Sequence, residues 1–168
     1  MQSSPALQTI IATILIGLLA ACASGNKPPK EVKLTSEVIA TADINPNRRE
    51  TAQPVKLHVF YLKQDEAFLQ ATFNDLIVPD APAIAADLLR RTEGLVGPGE
   101  TVYLDDKFDA QTKYIGVVAE FTRIDQAQWR SIVAVPEGSW KDFLTPFGGK
   151  KLQITVSALT VSCAIVKD

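Results

Sequence analysis

Few side chains in this 168-residue sequence have the chemistry for catalysis or metal binding, and their spacing limits what each can do. His58 is the only histidine. It lies within Val55-Lys56-Leu57-His58-Val59-Phe60-Tyr61-Leu62, with no second histidine for a metal pair and no acid, base and nucleophile grouped around it. Catalysis or metal binding needs partners that fix the ring's tautomer, so His58 reads as a structural strand residue. Glycosidase-type work needs two placed carboxylates, and the nearest set is Asp105-Asp106-Lys107-Phe108-Asp109. Adjacent aspartates point to opposite sides of an extended chain, and the run lacks the glycine and closing glutamate of a calcium loop, so it reads as a turn cap. Gly97-Pro98-Gly99 is not followed by Lys-Ser/Thr and is not a phosphate loop. Cys163, in Val161-Ser162-Cys163-Ala164-Ile165, reads as core filler, because a free cysteine behaves as a small buried hydrophobe. No enzymatic constellation emerges, and no metal or cofactor is implied.

The other cysteine has a different setting. The apolar run Ile10-Ile11-Ala12-Thr13-Ile14-Leu15-Ile16-Gly17-Leu18 leads directly into Leu19-Ala20-Ala21-Cys22. That run is too short for a membrane-spanning helix of ~20 residues and fits the core of a signal peptide. Residues Met1 to Ala6 carry no Lys or Arg, unlike the usual positive start of such a peptide. Small residues ending in cysteine resemble the lipobox of bacterial lipoproteins. The resemblance implies that the Cys22 thiol receives a diacylglycerol, that the chain is cut before it, and that the new amino group is acylated. A multiply acylated Cys22 holds a protein on a bilayer persistently, whereas one chain gives only marginal binding. In the same pattern an aspartate after the cysteine retains the protein in the inner membrane. Here that position is Ala23, which implies the outer membrane.

Removing residues 1–21 from the 168 leaves 147, the size of one ordinary domain with room for a core. Net charge is −2, with no basic stripe and no interleaving of aromatics with Lys or Arg, which argues against a nucleic-acid partner. With Cys22 lipidated, Cys163 has no disulfide partner. Residues 22–32, rich in Gly, Pro and polar side chains, read as a lipidated tether, and 33–168 as the folded domain.

Alternation at period two marks strands with one buried face. It is weak at Leu34, Ser36, Val38 and Ala40, and present on both faces of Val55–Leu62. It returns with Ile115, Val117, Ala119 and Phe121, with Trp129, Ser131, Val133 and Val135, and with Leu152, Ile154 and Val156. The phase slips at Ala158-Leu159, where a bulge or tight hairpin would return Val161, Cys163 and Ile165 to the core. Between the second strand and Thr101-Val102-Tyr103-Leu104 the period becomes helical. Leu69, Phe73 and Leu76 share one helical face, and a second helix is expected from Asp80 through Pro82, Ile84 and Leu88 to Arg90-Arg91. Gly94 to Gly99 then reads as a turn. The fold expected is mainly β, a β-sandwich with a short helical insertion at about 65–93.

The ordered series of a lipobox, a strand, Asn45-Pro46-Asn47, Val59-Phe60-Tyr61-Leu62-Lys63, Phe73-Asn74-Asp75-Leu76, Pro98-Gly99-Glu100, Tyr114–Phe121 and Trp129-Arg130 resembles the outer-membrane lipoprotein of the bacterial type VI secretion system, the TssJ family. The likeness spans nearly all of the chain after Cys22. It implies a transthyretin-like β-sandwich that is not an enzyme, tethered to the outer membrane and facing the periplasm. It also implies a partner, the periplasmic C-terminal region of the large inner-membrane component (TssM family), and so a role in fixing the envelope-spanning complex to the outer membrane. The family associates that contact with the loop after the first strand, here Asp43-Ile44-Asn45-Pro46-Asn47-Arg48-Arg49-Glu50 and on to Pro54.

That segment is also notable on its own residues. It is about a dozen residues of turn formers and charges where a hairpin needs roughly 2–5, and long loops on rigid sheets often carry binding. Arg48 and Arg49 are suited to bidentate contacts with partner carboxylates, and Ile44 offers an apolar anchor. The plain alternative is an idle solvated crossover. For the protein as a whole, the rival reading is a periplasmic small-ligand carrier or chaperone-like lipoprotein, since sandwich folds host many unrelated sites.

Overall fold

Val55–Leu62 forms a strand buried along almost its whole length, and the rest of the domain is arranged around it. The computed structural model describes residues 31–136 and 150–167, so the expected signal peptide 1–21, Cys22 and the expected tether as far as residue 30 lie outside the described residues. The strands are β1 (Glu31–Ala40), β2 (Val55–Leu62), β3 (Leu88–Val96), β4 (Thr101–Asp109), β5 (Tyr114–Ala119), β6 (Arg130–Ala134), β7 (Lys150–Ser157) and β8 (Thr160–Lys167). They make two four-stranded sheets, ordered β4-β1-β7-β8 and β3-β2-β5-β6. Among the described strand pairs, β1–β7 is parallel and the others antiparallel. β1 begins at Glu31, so the last two residues assigned to the tether are already strand.

Period-two alternation places the core. Val38, Leu57, Val59, Tyr61, Ile115, Val117, Leu152, Ile154 and Val156 face each other between the sheets, where Tyr61 stacks on Phe108 at 5.9 Å. The phase slip at Ala158-Leu159 is a tight β7–β8 hairpin with Ala158 at φ 36°, and it returns Val161 to the core with Cys163 and Ile165 packed against it. One open side of the sandwich is closed where Gln128 N–H donates to Leu159 O (2.8 Å) and Val161 N–H to Gln128 O (3.0 Å). Cys163 is half-buried beside Ser131, and burial pushes its thiol pKa up, as suits core filler.

Lys56, His58, Phe60 and Leu62 sit on the other face of β2. There a second core joins Phe60, Leu62 and Val118 to Phe68, Leu76, Ala81 and Ile84 from the insertion. The insertion differs from expectation in three ways. The single helical stripe is instead two short helices, α1 (Glu66–Gln70) and α2 (Phe73–Ile77). The break comes from Thr72, whose side chain and Asp75 cap α2 reciprocally, and the residue α1 buries is Phe68, leaving Leu69 43% exposed. The second expected helix is one turn of 3-10 helix at Pro82–Ile84, after Asp80 and Ala81 at φ 60° and 38°. Leu88–Val96 is strand β3, because pairing with the whole length of β2 outweighs the local helical spacing. The helical part of the insertion therefore ends at Ile84 rather than near 93.

Strand β4 runs past Leu104, and Asp105 and Asp106 stand opposite Thr35 and Leu34 of β1. Asp109 caps a turn, accepting from Gln111 N–H at 2.8 Å. Neither α1 nor α2 has a basic residue in its last turn. Arginines of the sheet supply that charge. Arg130 donates to Phe68 O (2.9 Å) and Ala71 O (3.0 Å), while Arg91 donates to Val78 O (2.8 Å) and Ile77 O (3.2 Å). Two carbonyls at each helix end are thus satisfied from the sheet beneath.

Candidate partner-binding site

The connection from Thr41 to Pro54 is held by one side chain. Asn45 is 3% exposed and adopts φ 48°, a left-handed conformation that asparagine tolerates better than most residues. Its N–H donates to Ala158 O, its Nδ2 donates to Pro54 O (2.8 Å), and its Oδ1 accepts from Thr122 N–H (2.7 Å). One asparagine thereby laces three connections at this end of the sandwich: β1–β2, β5–β6 and β7–β8. Asn47 shapes the tip, its Oδ1 accepting from Arg49 N–H (2.8 Å) and Thr51 N–H (3.1 Å). The Thr41 hydroxyl donates to Asp43 and, with backbone N–H groups, holds that carboxyl below its usual pKa.

Ile44 is not the anchor expected. It is fully buried and fills this chain's own core beneath the loop, so it has no surface to offer a partner. Pro46 is half-buried, while Arg48, Arg49 and Glu50 are exposed. Asp43 is exposed as well, on the side nearer β1. The cationic tip faces the β5–β6 connection, where Arg123 donates to Glu50 (2.9 Å) and Gln126. Between them lies an open cleft of about 800 Å³ lined by Asn47, Arg48, Arg49, Glu50, Thr122, Arg123, Asp125 and Gln126. Sequence reasoning missed residues 122–126. Arg123 and Glu50 are 73 positions apart, and only the fold brings them together.

His58 is fully buried at the margin of the second core. Arg91 Nη2, which can only donate, lies 2.7 Å from Nδ1, so Nδ1 is the acceptor and Nε2–H donates to Glu120. Glu93 stands 3.1 Å from Nδ1 and pairs with Lys56 (2.7 Å) and Arg91 (2.9 Å). Burial, then the Arg91 charge, outweighs the two carboxylates and lowers the His58 pKa from its ordinary 6.5. The ring is a neutral strut of the network tying β3, β2 and β5 together, with no nucleophile in its described contacts.

Residues 32–159 match the model of the family described as "Type VI secretion lipoprotein, VasD, EvfM, TssJ, VC_A0113". The T6SS lipoprotein TssJ1 from Pseudomonas aeruginosa is similar to this chain at 28% identity and a TM-score of 0.68, covering 84% of this chain and 98% of that one. Serratia marcescens Lip, described as a membrane bound component of the type VI secretion system, shares the fold at 23% identity and a TM-score of 0.68, over 83% of this chain and 99% of that one. A chain in the structure described as the T6SS protein TssM C-terminal domain (869-1107) from EAEC also shares the fold, at 24% identity and a TM-score of 0.61, over 80% of this chain and 99% of that one. No curated protein is similar enough to match. With three-quarters of its length inside the family model and a fold similar to that of the solved TssJ1, the chain belongs to the TssJ family of type VI secretion lipoproteins, a structural and not an enzymatic family.

Proposed function

We propose that this lipoprotein is held in the outer membrane through acylated Cys22, faces the periplasm, and docks the periplasmic C-terminal region of the TssM partner with the connection 41–54, so fixing the envelope-spanning complex to the outer membrane. The observation that carries the reading is polarity. β1 starts at Glu31, just after the tether, and ends at Ala40, where the Asn45-laced connections begin. Ten residues of strand span about 33 Å, so chain entry and cationic tip stand at opposite ends of the sandwich. A domain tethered at one end presents the other to whatever approaches from the periplasm.

The structure containing the TssM fragment supports the partner. A chain of this fold occurs in a structure described by its TssM C-terminal domain, as it would if the two proteins associate. The cleft at the tip does not favour a small-ligand carrier, because its lining is charged and open where a carrier needs an enclosed apolar pocket.

Two measurements test the reading. Pull-down of the tagged chain from detergent-solubilised envelopes should recover the TssM partner, and its absence would remove the docking half. Cys22→Ser should leave the outer-membrane fraction while remaining folded, and a variant that still sediments with that membrane would remove the anchoring half.

A further inference from the structure

The cleft at the loop end has an uneven charge balance that the docking reading leaves unexplained. Three guanidinium groups, on Arg48, Arg49 and Arg123, face two carboxylates, on Glu50 and Asp125. Arg48 and Arg49 are exposed and have no ion-pair partner among the described residues. Arg123 differs from both. Its side chain is only 26% exposed, its Nε and Nη2 both donate to the neutral Gln126 Oε1, and its Nη1 donates to Glu50, whose own side chain is 73% exposed. Gln126 therefore orients the guanidinium without cancelling its charge, and Glu50 occupies one arm of the fork from an exposed, easily displaced position.

We propose that this cleft grips an acidic segment of the docked partner, with Arg123 as the central ligand and Glu50 as an internal placeholder that an incoming carboxylate displaces. The proposal rests on the docking reading and adds to it the β5–β6 connection and the chemistry recognised. Several features support it. Arginine presents a planar fork matched to carboxylate geometry, and a partly desolvated, pre-positioned arginine ringed by weaker contacts is the usual form of an interface hot spot. Displacing Glu50 costs little, because its carboxylate sits 73% exposed and water replaces the contact it gives up. Arg48 and Arg49 at the rim raise the association rate for an acidic surface and make it salt-dependent.

The test is calorimetry of the full chain in detergent against the purified periplasmic C-terminal region of TssM, at two salt concentrations, with circular dichroism as folding control. Arg123→Gln should weaken binding about tenfold or more. Arg123→Lys should recover only part of that loss, because an ammonium lacks the fork. Glu50→Gln should tighten binding by up to about fivefold, since the competitor is removed while the side-chain volume stays. If Glu50 served only to brace the loop, the same change would weaken binding, and that sign would overturn the proposal. So would an Arg123→Gln variant that binds like the parent. Loss of binding on shortening 41–54 with Arg123→Gln unaffected would discard the cleft and leave loop docking standing. Unchanged binding in both variants would discard the docking reading itself.

Discussion

Gly116 in β5 is the position where a single added carbon should disturb the helical insertion most. A Cβ built there would lie 2.5 Å from Phe68 Cζ and 2.8 and 2.9 Å from the two Cε atoms, so Gly116→Ala demands that the ring withdraw by about 1 Å to reach normal contact. The ring end of a phenylalanine can often swing aside, but this one is boxed in. Phe68 is fully buried, packs on Phe60 at 5.4 Å between centroids, and sits on a helix whose carbonyls are held by Arg130. Overpacking a filled core typically costs about 1–3 kcal/mol, and losing a buried phenylalanine altogether about 3–5 kcal/mol. The small gain from reducing unfolded-chain entropy offsets at most about 1 kcal/mol. We expect Gly116→Ala to destabilise by about 2–3 kcal/mol in urea unfolding. Phe68→Ala should cost more, and the double variant no more than Phe68→Ala alone, because the clash disappears with the ring. A Gly116→Ala penalty under about 0.5 kcal/mol, or additive losses in the double variant, would refute this packing.

Two further outcomes follow from the same structure. His58 is held neutral by burial, so its folded pKa lies below its unfolded 6.5, and the stability it contributes is present above pH 6.5 and lost as pH falls through the folded value; His58→Gln should flatten the stability change between pH 7.5 and 5.5, and an unchanged slope would contradict the assignment. Asn45→Ala removes the partners of Thr122 N–H and Pro54 O and leaves a left-handed alanine, which should cost about 2–4 kcal/mol by chemical denaturation and expose 41–54 to proteolysis, whereas a protected loop would show that the lacing is redundant.

Where packing follows alternation, the sequence was readable. β2, β5 and the β7–β8 hairpin follow from Leu57-Val59-Tyr61, Ile115-Val117-Ala119 and the slip at Ala158, because a sheet buried on one face imposes period two on its residues. The insertion was harder, since Leu88-Leu89-Arg90-Arg91 fits helical spacing as well as strand spacing and only β2 decides between them. Thr72-Phe73-Asn74-Asp75 did carry a capping signal that marks the helix break, although it sits inside a continuous helical stripe. At the loop, turn formers and length single out 43–54, but Ile44 lies in the core instead of at the surface, since apolar type alone does not distinguish a core residue from an interface one. Arg123 had no local signal, since its role depends on Glu50 being brought next to it by the fold.

The central claim is that the end of the sandwich remote from the tether docks TssM through 41–54. Its most direct test is calorimetry of the full chain in detergent against the periplasmic C-terminal region of TssM, comparing the parent with a variant in which residues 46–52 are replaced by a two-residue turn that keeps Ile44, Asn45 and Pro54. Because the buried residues and the Asn45 bonds remain, the variant should stay folded by circular dichroism and bind at least a hundredfold more weakly. A folded variant that binds TssM as tightly as the parent would contradict the account.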